Sequence, residues 1–430
     1  MNKIKEKFVF GFAIFASFFG AGNLILPPML GFKSGEDWWL VGMGFLLSAT
    51  VFPMLALLGY ARLQGTMIDF GRKVSSRFAM VFSVGIYLMI PILPCPRTAA
   101  VTHEIAIKPY FGTSAILTSF VYFTLVFLFV INRGKVIEFL GKFLTPIIGI
   151  ILLAIIVLGI LGPENHMMTG SFDSPLIAGF LEGYQTYDAI AGLVMGGVMV
   201  ITLNNSREEM TVHEKQIMIG QSGLIAMAGL FIIYIGLIFI GSKYNGVFDP
   251  DVSRTALLSG LSTQIMGKTG TAFLSVLVSL ACFTTAVSII VGVADFFKGL
   301  FGDSQKVYVV SAALSCLAGI LMGQFEVKVI IDLAVSVLML LYPISIVLIL
   351  LNLLPEKYAG RPVYRILVVL AIVFSIPNFM SNLIARDWLN SLYTLIPLSR
   401  DGLGWVIPCI MGFILVNLIT NNRKNQINEN

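Results

Sequence analysis

Residues 16–28 read Ala-Ser-Phe-Phe-Gly-Ala-Gly-Asn-Leu-Ile-Leu-Pro-Pro and interrupt the first long apolar run of the chain. This stretch places two glycines and an asparagine, which are poor helix formers, in the middle of an apolar run long enough to cross a bilayer. In hydrocarbon every backbone amide needs a partner, so a break at that depth is stable only where it lines a buried or water-filled cavity. Such a break favours a ligand site. The alternative is that Gly20 and Gly22 only allow a neighbouring helix to pack closely.

The composition of the chain is that of a membrane protein. Hydrophobic residues form 57% of the 430 residues and charged residues 12%, against roughly 25% charged in a soluble domain. The mean hydropathy is +0.90. Apolar runs of about 20 residues predict twelve transmembrane helices, which lie near 8–31, 38–60, 79–105, 114–132, 143–162, 176–202, 216–241, 271–297, 307–323, 329–352, 364–383 and 403–421. The remaining loops are too short for a soluble domain.

Positive charges predict the orientation of these spans. Cytoplasmic loops of membrane proteins carry an excess of Lys and Arg. With a cytoplasmic N-terminus, one inside loop holds Arg62, Arg72, Lys73 and Arg77, whereas the outside loop at 163–175 holds none. We therefore predict that both termini are cytoplasmic. The first span is too long for a signal-peptide core and is expected to remain as an anchor. The net charge of +5 is then a topogenic signal and needs no nucleic-acid partner.

A second interruption lies five helices after the first, in Glu182-Gly183-Tyr184-Gln185-Thr186-Tyr187-Asp188-Ala189-Ile190. The two interrupted spans begin two blocks of five helices, 8–162 and 176–352. Because five is odd, the second block crosses the membrane in the opposite sense, and matching interruptions in an inverted repeat point to a binding site. The predicted architecture is one all-α transporter domain over residues 1–430, a five-plus-five inverted repeat with two additional helices in 364–421.

The half-helices at the two breaks predict the kind of ligand. Carbonyl ends of helices attract cations and amide ends attract anions, each effect typically contributing ~0.3–1 kcal/mol. A zwitterion fits such a site, with its carboxylate on the amides near Gly20–Gly22 and its ammonium on the carbonyls near Tyr184–Tyr187. Phe18, Phe19 and the two tyrosines can form apolar walls. The predicted ligand is an amino acid with a hydrocarbon side chain.

Two adjacent hydroxyls suggest a coupling-ion site in the eighth span. Thr284 and Thr285 lie at its centre, and hydroxyl and carbonyl oxygens are suitable ligands for a hard cation such as Na⁺. The alternative is that each hydroxyl bonds its own helix four residues back, as threonines in membrane helices commonly do.

Two charged residues lie inside predicted membrane spans, and the sequence allows more than one role for each. An Asp at the centre of a membrane helix costs ~2.5–3.5 kcal/mol on insertion scales, so Asp188 is expected to be functional, as an ion ligand, a helix cap or a proton carrier. Arg97 follows a proline-rich turn in the third span. It either seals an outer vestibule or snorkels to the headgroups.

Other chemistries find little support in the sequence. Unpaired spacing predicts that the four cysteines are apolar packing residues rather than disulfides or metal ligands, namely Cys95, Cys282, Cys316 and Cys409. No phosphate-binding glycine loop is present, so transport work must come from an ion gradient or a partner subunit. We predict no cofactor. We also predict that the chain is not an enzyme, because no nucleophile at depth has an adjacent base.

Several segments together resemble the bacterial branched-chain amino acid:cation symporters of the BrnQ type. The matching segments are Phe19-Gly20-Ala21-Gly22-Asn23 with Pro27-Pro28, Pro96-Arg97-Thr98-Ala99, Gly183-Tyr184-Gln185-Thr186-Tyr187-Asp188, Ala281-Cys282-Phe283-Thr284-Thr285-Ala286-Val287, Tyr342-Pro343 and Leu403-Gly404-Trp405. The resemblance implies the LeuT-like fold of the amino acid–polyamine–cation superfamily, a location in the bacterial cell (inner) membrane, and uptake of leucine, isoleucine and valine.

The resemblance also implies site residues. The Na⁺ ligands would be Ala16, Phe19, Ala281, Thr284 and Thr285. The substrate frame would be Ser17, Phe18, Gly20, Ala21, Gly22, Tyr187 and Asp188. The predicted function is symport of one branched-chain amino acid with Na⁺ by alternating access. The alternatives are a proton-coupled symporter of the same fold, with Asp188 as the carrier, and an uncoupled channel or sensor that binds an apolar amino acid.

Overall fold

The computed structural model describes residues 3–132, 135–162, 166–206, 210–381 and 396–428. These residues are helical apart from short turns and one isolated antiparallel bridge between Gly35 and Thr169. This matches the all-α class predicted from the apolar runs.

The helices follow one another with short connections. In chain order they are α1 Lys3–Phe18, α2 Ala21–Ser34, α3 Trp38–Leu46, α4 Phe52–Leu63, α5 Met67–Gly71, α6 Ser76–Met89, α7 Pro94–Thr102, α8 Lys108–Phe111, α9 Ala115–Asn132, α10 Lys135–Leu161, α11 Pro175–Tyr184, α12 Asp188–Ser206, α13 Val212–Lys243, α14 Arg254–Leu300, α15 Gln305–Gly323, α16 Val327–Leu353, α17 Arg361–Ser381 and α18 Val406–Asn428. Two π-helical turns, Leu47–Val51 and His103–Ile107, join α3 to α4 and α7 to α8.

Eight helices of the described residues are long and apolar enough to cross a membrane, or nine if the bent pair α1–α2 forms one span. The predicted count of twelve is therefore not confirmed. Three further helices contain shorter apolar stretches within the described residues, at Ile147–Leu161, Asp188–Val200 and Val406–Thr420. Each of the twelve predicted spans nevertheless coincides with a helix or a broken helix.

The chain forms two compact units. The first contains Met1–Thr50, Gly85–Tyr187 and Gln221–Ala334. Within it, α14 packs against α2, α7, α9, α10 and α15. The core between α7, α9, α14 and α15 includes Phe123, Ile290 and Tyr308, and the Tyr308 hydroxyl donates to the carbonyl of Val130 at 3.1 Å. This unit carries both helix breaks up to Tyr187.

The second unit contains Val51–Val84, Asp188–Gly220 and Val335–Asn430. Its helices α4 and α12 pack closely, and the Tyr60 hydroxyl donates to the carbonyl of Leu193 at 2.5 Å. A methyl group at Gly196 would lie 2.3 Å from the Tyr60 ring, so only glycine permits this contact. Helices α17 and α18 form another pair, joined by a bond from the Cys409 thiol to the Leu367 carbonyl at 3.6 Å.

Helix α14 is two helices in one. Gly267 has φ 74° and ψ 179°, which interrupts the helix inside its 47 residues and is a conformation that favours glycine. The part after Gly267 coincides with the predicted eighth span. The part before it packs Leu257 and Leu261 on Met29 and Phe32 at the end of α2. The four cysteines are buried and form no disulfide.

Candidate functional site

The first helix break is a sharp, hydrogen-bonded corner. Helix α1 ends at Phe18, α2 begins at Ala21, and the two axes differ by 71°. Gly20 is extended, with φ −133° and ψ −172°. In a continuous helix its amide would donate to the Ala16 carbonyl, but it donates to Asn23 Oδ1 at 3.1 Å. The carbonyl end of α1 is thereby available for a cation.

Asn23 holds this corner in place. Its amide nitrogen donates to the hydroxyl of Tyr234 on α13. The Tyr234 ring is fully buried and packs edge-on against Phe45, with centroids 5.3 Å apart. Because the amide nitrogen is held by the tyrosine, the amide oxygen faces the break, where it caps α2. An asparagine inside a membrane span therefore has a structural reason to be there.

The two threonines of the eighth span have different environments. The Thr284 hydroxyl donates to the Ala281 carbonyl at 3.0 Å. It therefore bonds its own helix, as the alternative proposed, but three residues back rather than four. The Thr285 hydroxyl makes no hydrogen bond in the described part of the chain. Thr285 lies against the first break, because a methyl group built on Gly20 would be 3.4 Å from its Cγ2 and 3.8 Å from its Oγ1.

The second break is a tight turn with one residue in a rare conformation. Helix α11 ends at Tyr184 and α12 begins at Asp188. The amides of Gln185, Thr186 and Tyr187 donate to carbonyls three residues earlier, at 3.0, 3.2 and 3.0 Å. Tyr187 has φ +64°, a left-handed conformation that costs of order 1–3 kcal/mol for a non-glycine residue and clusters at functional sites. Its hydroxyl is buried without a hydrogen-bond partner among the described residues.

Arg97 connects the two breaks. Its side chain is only 4% exposed, so the snorkelling alternative is wrong. Nη1 donates to the Gln185 carbonyl at 2.7 Å, and Cζ lies 5.2 Å from the centroid of the Tyr187 ring. A methyl group at Gly22 would lie 2.3 Å from Nη2. The guanidinium thus occupies the space that a side chain at position 22 would fill.

These contacts separate the two roles that the sequence allowed for glycine. At Gly31, on the same helix, a methyl group would lie 1.8 Å from the backbone oxygen of Ile238, which is close helix packing. At Gly22 the neighbour is the Arg97 guanidinium, and at Gly20 it is Thr285. The glycines of the break therefore face charged and polar side chains of the site rather than the backbone of another helix.

An ion pair continues from the second break. Glu182 and Arg254 form a salt bridge at 2.8 Å, and both side chains are largely buried. Gln185 joins it: its Oε1 accepts from Arg254 at 2.7 Å, and its Nε2 donates to Glu182 at 2.8 Å. The backbone oxygen of the same residue accepts from Arg97. A continuous polar chain therefore runs from Arg97 to the start of α14.

A cavity of about 1070 Å³ lies beside this chain, within the first unit. Arg254, Glu104 and Thr255 are among its lining residues. Glu104 fixes two elements at its wall, because it accepts from the Thr255 hydroxyl at 2.5 Å and from the backbone amide of Val327 at 2.9 Å. This size lies at the upper end of ligand pockets.

The structure brings some of the predicted site residues together and leaves others apart. It brings Gly20 against Thr285, and Gly22 and Tyr187 against Arg97. Phe18 and Phe19 are buried at the end of α1, and Phe19 stacks on Phe15.

The other predicted residues are located by the helices that carry them. Ala16 is in the last turn of α1, Ala281 is buried on α14, Ala21 begins α2, and Asp188 is buried at the start of α12. Ser17 is exposed, and its hydroxyl donates to the Ala13 carbonyl at 2.9 Å.

Sequence reasoning missed Glu104, Glu182 and Arg254. Glu182 carried a usable signal, because an acidic side chain inside an apolar run is expensive unless it is paired. Its partner lies 72 positions away on the chain, and nothing in the sequence indicates that α14 begins beside the second break.

Comparison with known proteins finds relatives along almost the whole chain. Residues 3–423 match the sequence profile described as branched-chain amino acid transport protein. The chain is 32% identical over 419 residues to the branched-chain amino acid transport system 2 carrier protein of Pseudomonas aeruginosa, covering 94% of each. It is 30% identical to the branched-chain amino acid permease BraB of Bacillus subtilis, covering 99% of this chain and 98% of that protein.

Solved structures share the fold. A nucleobase-cation-symport-1 family transporter in a closed conformation matches with a TM-score of 0.62 at 13% identity, covering 95% of this chain and 90% of that one. A Na⁺-coupled sialic acid symporter matches with a TM-score of 0.60 at 11% identity, covering 96% and 90%. The predicted LeuT-like fold class is confirmed. Because the relatives are carriers and permeases, the prediction that the chain is not an enzyme is confirmed as well. The chain belongs to the family of branched-chain amino acid transport proteins.

Proposed function

We propose that this protein is a secondary active symporter that imports leucine, isoleucine and valine together with Na⁺ by alternating access. Substrate and ion would bind at the breaks between α1 and α2 and between α11 and α12. The inverted repeats would be residues 8–162 and 176–352, with 364–421 added. The protein would lie in the bacterial cell membrane with both termini in the cytoplasm.

The observation that carries Na⁺ coupling is the position of Thr285. Its hydroxyl makes no hydrogen bond in the described residues, and it lies at the corner where the Gly20 amide has left the Ala16 carbonyl. A hydroxyl and a helix-end carbonyl are hard oxygen donors, which suit a cation of high charge density. The proposed ligands are the carbonyls of Ala16, Phe19 and Ala281 with the hydroxyls of Thr284 and Thr285.

The proposed substrate frame is formed by Phe18, Gly20, Ala21, Gly22 and Tyr187, with Ser17 and Asp188 at its edges. Gly20 and Gly22 lack side chains, so an anionic group can approach the amides that begin α2. The buried rings of Phe18 and Tyr187 suit an aliphatic side chain.

The test is leucine uptake by the purified full chain in proteoliposomes. An inward Na⁺ gradient at fixed pH is expected to accumulate radiolabelled leucine above its external concentration, and replacing external Na⁺ with choline is expected to abolish accumulation. Isoleucine and valine are expected to compete. Alanine should compete at least tens of times less, because each missing methylene forfeits ~1–3 kcal/mol in an apolar pocket.

The alternatives give different results in the same vesicles. Accumulation driven by a pH gradient without Na⁺ would establish proton coupling, for which the buried Asp188 at the start of α12 is the candidate carrier. Equilibration without accumulation would indicate an uncoupled channel or sensor.

A further inference from the structure

We propose that Arg97 binds the carboxylate of the transported amino acid and makes that carboxylate the group the site selects most strongly. This inference rests on the proposed function and adds to the substrate frame a residue from the third span. It is carried by the position of the guanidinium between the two helix breaks.

The position of Arg97 follows from the local sequence. Pro94 and Pro96 open α7, and Arg97 lies in its first turn, so its side chain starts close to the second break. The bond from Nη1 to the Gln185 carbonyl and the Tyr187 ring beside Cζ fix the plane of the guanidinium. Its Nη2 edge then reaches Gly22 in the first turn of α2.

The charge at this place favours an anion. Arginine stays protonated in proteins, and its planar fork matches a carboxylate with two parallel hydrogen bonds. The amides at the start of α2 carry partial positive charge of the same sign. Guanidinium and helix end therefore attract the carboxylate together, and both repel the ammonium group.

Two further features fit a ligand at this point. The guanidinium can lie this close to the first turn of α2 only because Gly22 has no Cβ, since even alanine would meet Nη2 at 2.3 Å. The buried hydroxyl of Tyr187, 6% exposed as a residue, is left without a partner by the described residues. Burying such a hydroxyl is costly, and a polar ligand beside the same ring would satisfy it.

The test compares two ligands on matched variants of the full chain in detergent, at fixed Na⁺. L-leucine has a carboxylate, and L-leucinamide replaces it with a neutral amide but keeps the side chain and the amine. Ligand-induced rise of the unfolding temperature gives the concentration at which each ligand stabilises the protein. We expect the wild type to require about 10- to 100-fold more leucinamide than leucine, the loss typical of removing a charge-assisted bond.

Arg97→Gln is expected to bring this ratio close to one by weakening leucine alone, and Arg97→Lys to give an intermediate ratio. The matched control is Arg62→Gln, because the exposed Arg62 also donates to a backbone carbonyl, that of Leu353 at 2.6 Å. Its ratio should equal that of the wild type.

A second variant covers the case in which Arg97→Gln does not fold. Gly22→Ala keeps the arginine but displaces its guanidinium, and is expected to lower the ratio, whereas Gly85→Ala, with nothing within 4 Å, should not. An unchanged ratio in Arg97→Gln, or in Gly22→Ala when that variant alone folds, overturns the inference. A wild type that neither ligand stabilises contradicts the proposed function instead.

Discussion

At the scale of single residues, neighbouring side chains of one type have different roles. Thr284 and Thr285 are adjacent on α14, yet one hydroxyl is bonded to its own helix and the other faces the Gly20 corner without a bond in the described residues. The sequence predicted that this pair lies at the centre of the eighth span. Which of the two threonines faces the Gly20 corner depends on the rotation of α14 about its own axis. This rotation is set by packing against α2 and α7.

We expect Thr285→Val to raise the Na⁺ concentration for half-maximal leucine uptake by about tenfold, which corresponds to ~1.4 kcal/mol for one lost oxygen ligand. Valine keeps the shape of threonine and removes only the hydroxyl. The measurement is initial uptake against Na⁺ concentration in proteoliposomes.

The control for this prediction is Thr124→Val. The Thr124 hydroxyl donates to the Phe120 carbonyl of its own helix at 2.7 Å and lies on an exposed face of α9. Its Na⁺ dependence should match the wild type. If Thr285→Val shows wild-type Na⁺ dependence at normal protein levels, the ion binds elsewhere.

Arg97 shows where sequence reasoning stops at this scale. The segment Pro96-Arg97-Thr98-Ala99 was part of the family resemblance, and the arginine was expected at a vestibule or a headgroup. A charged residue in an apolar span must satisfy its charge, but composition does not tell which side of the helix faces the interior. The turn at 90–93 and the start of α7 at Pro94 decide this, and both depend on tertiary contacts.

At the scale of helices and loops, the breaks are the features that the sequence predicted best. Gly20–Gly22 and Gly183–Asp188 coincide with the ends of α1 and α11, because poor helix formers in a long apolar run have a local effect. Gly267 has an equally local effect, but it lies outside the apolar core of its span, so the helix before it was not predicted. That helix is positioned by long-range contacts with α2.

A short helix between the second and third spans offers a test of pH dependence. Asp69 in α5 accepts hydrogen bonds from the amide and the hydroxyl of Thr66, at 3.0 and 2.8 Å. The backbone bond from Thr66 is the main cause that lowers the pKa of Asp69, against a smaller opposing effect of partial burial. A carboxyl group whose pKa is lowered in the folded state stabilises it above the unfolded pKa of about 4. This stabilisation is lost as the pH falls through the folded pKa.

We therefore expect Asp69→Ala to lower the apparent unfolding temperature in detergent by about 1–2 °C at pH 7, from a cap contribution of ~0.5–1 kcal/mol at an exposed site. As the pH falls through the lowered pKa of folded Asp69, the difference from the wild type should disappear. Asp173→Ala removes an exposed carboxylate that has no hydrogen bond in the described residues and should have no effect at pH 7 or in acid. A difference that persists in acid would show that the effect is not due to ionisation of Asp69.

At the scale of the whole molecule, the LeuT-like fold was predictable because it follows from the number of spans between the two breaks and from the sense in which each interrupted span crosses the membrane. The second interrupted span lies five positions after the first, so the two cross the membrane in opposite senses, and this predicts an inverted repeat. The number of helices that qualify as full spans was less predictable, since α1 and α2 differ in direction by 71° and qualify only as a pair. The polar chain from Arg97 to Arg254 was not predictable, because it joins residues far apart in sequence.

Transport as proposed has an electrical consequence. Leucine is a neutral zwitterion, so its movement with one Na⁺ carries one positive charge inward per cycle. One charge crossing 100 mV releases ~2.3 kcal/mol, which supports about a 50-fold leucine gradient without any Na⁺ concentration difference. We expect an inside-negative potassium diffusion potential to accelerate leucine uptake in Na⁺, and leucine to evoke an inward current. The proposed ion site at the Gly20 corner, with Thr285 beside it, would hold this charge. Vesicles with equal potassium on both sides are the control. An uptake rate that does not respond to membrane potential would exclude one-to-one Na⁺ symport and favour exchange or facilitated diffusion.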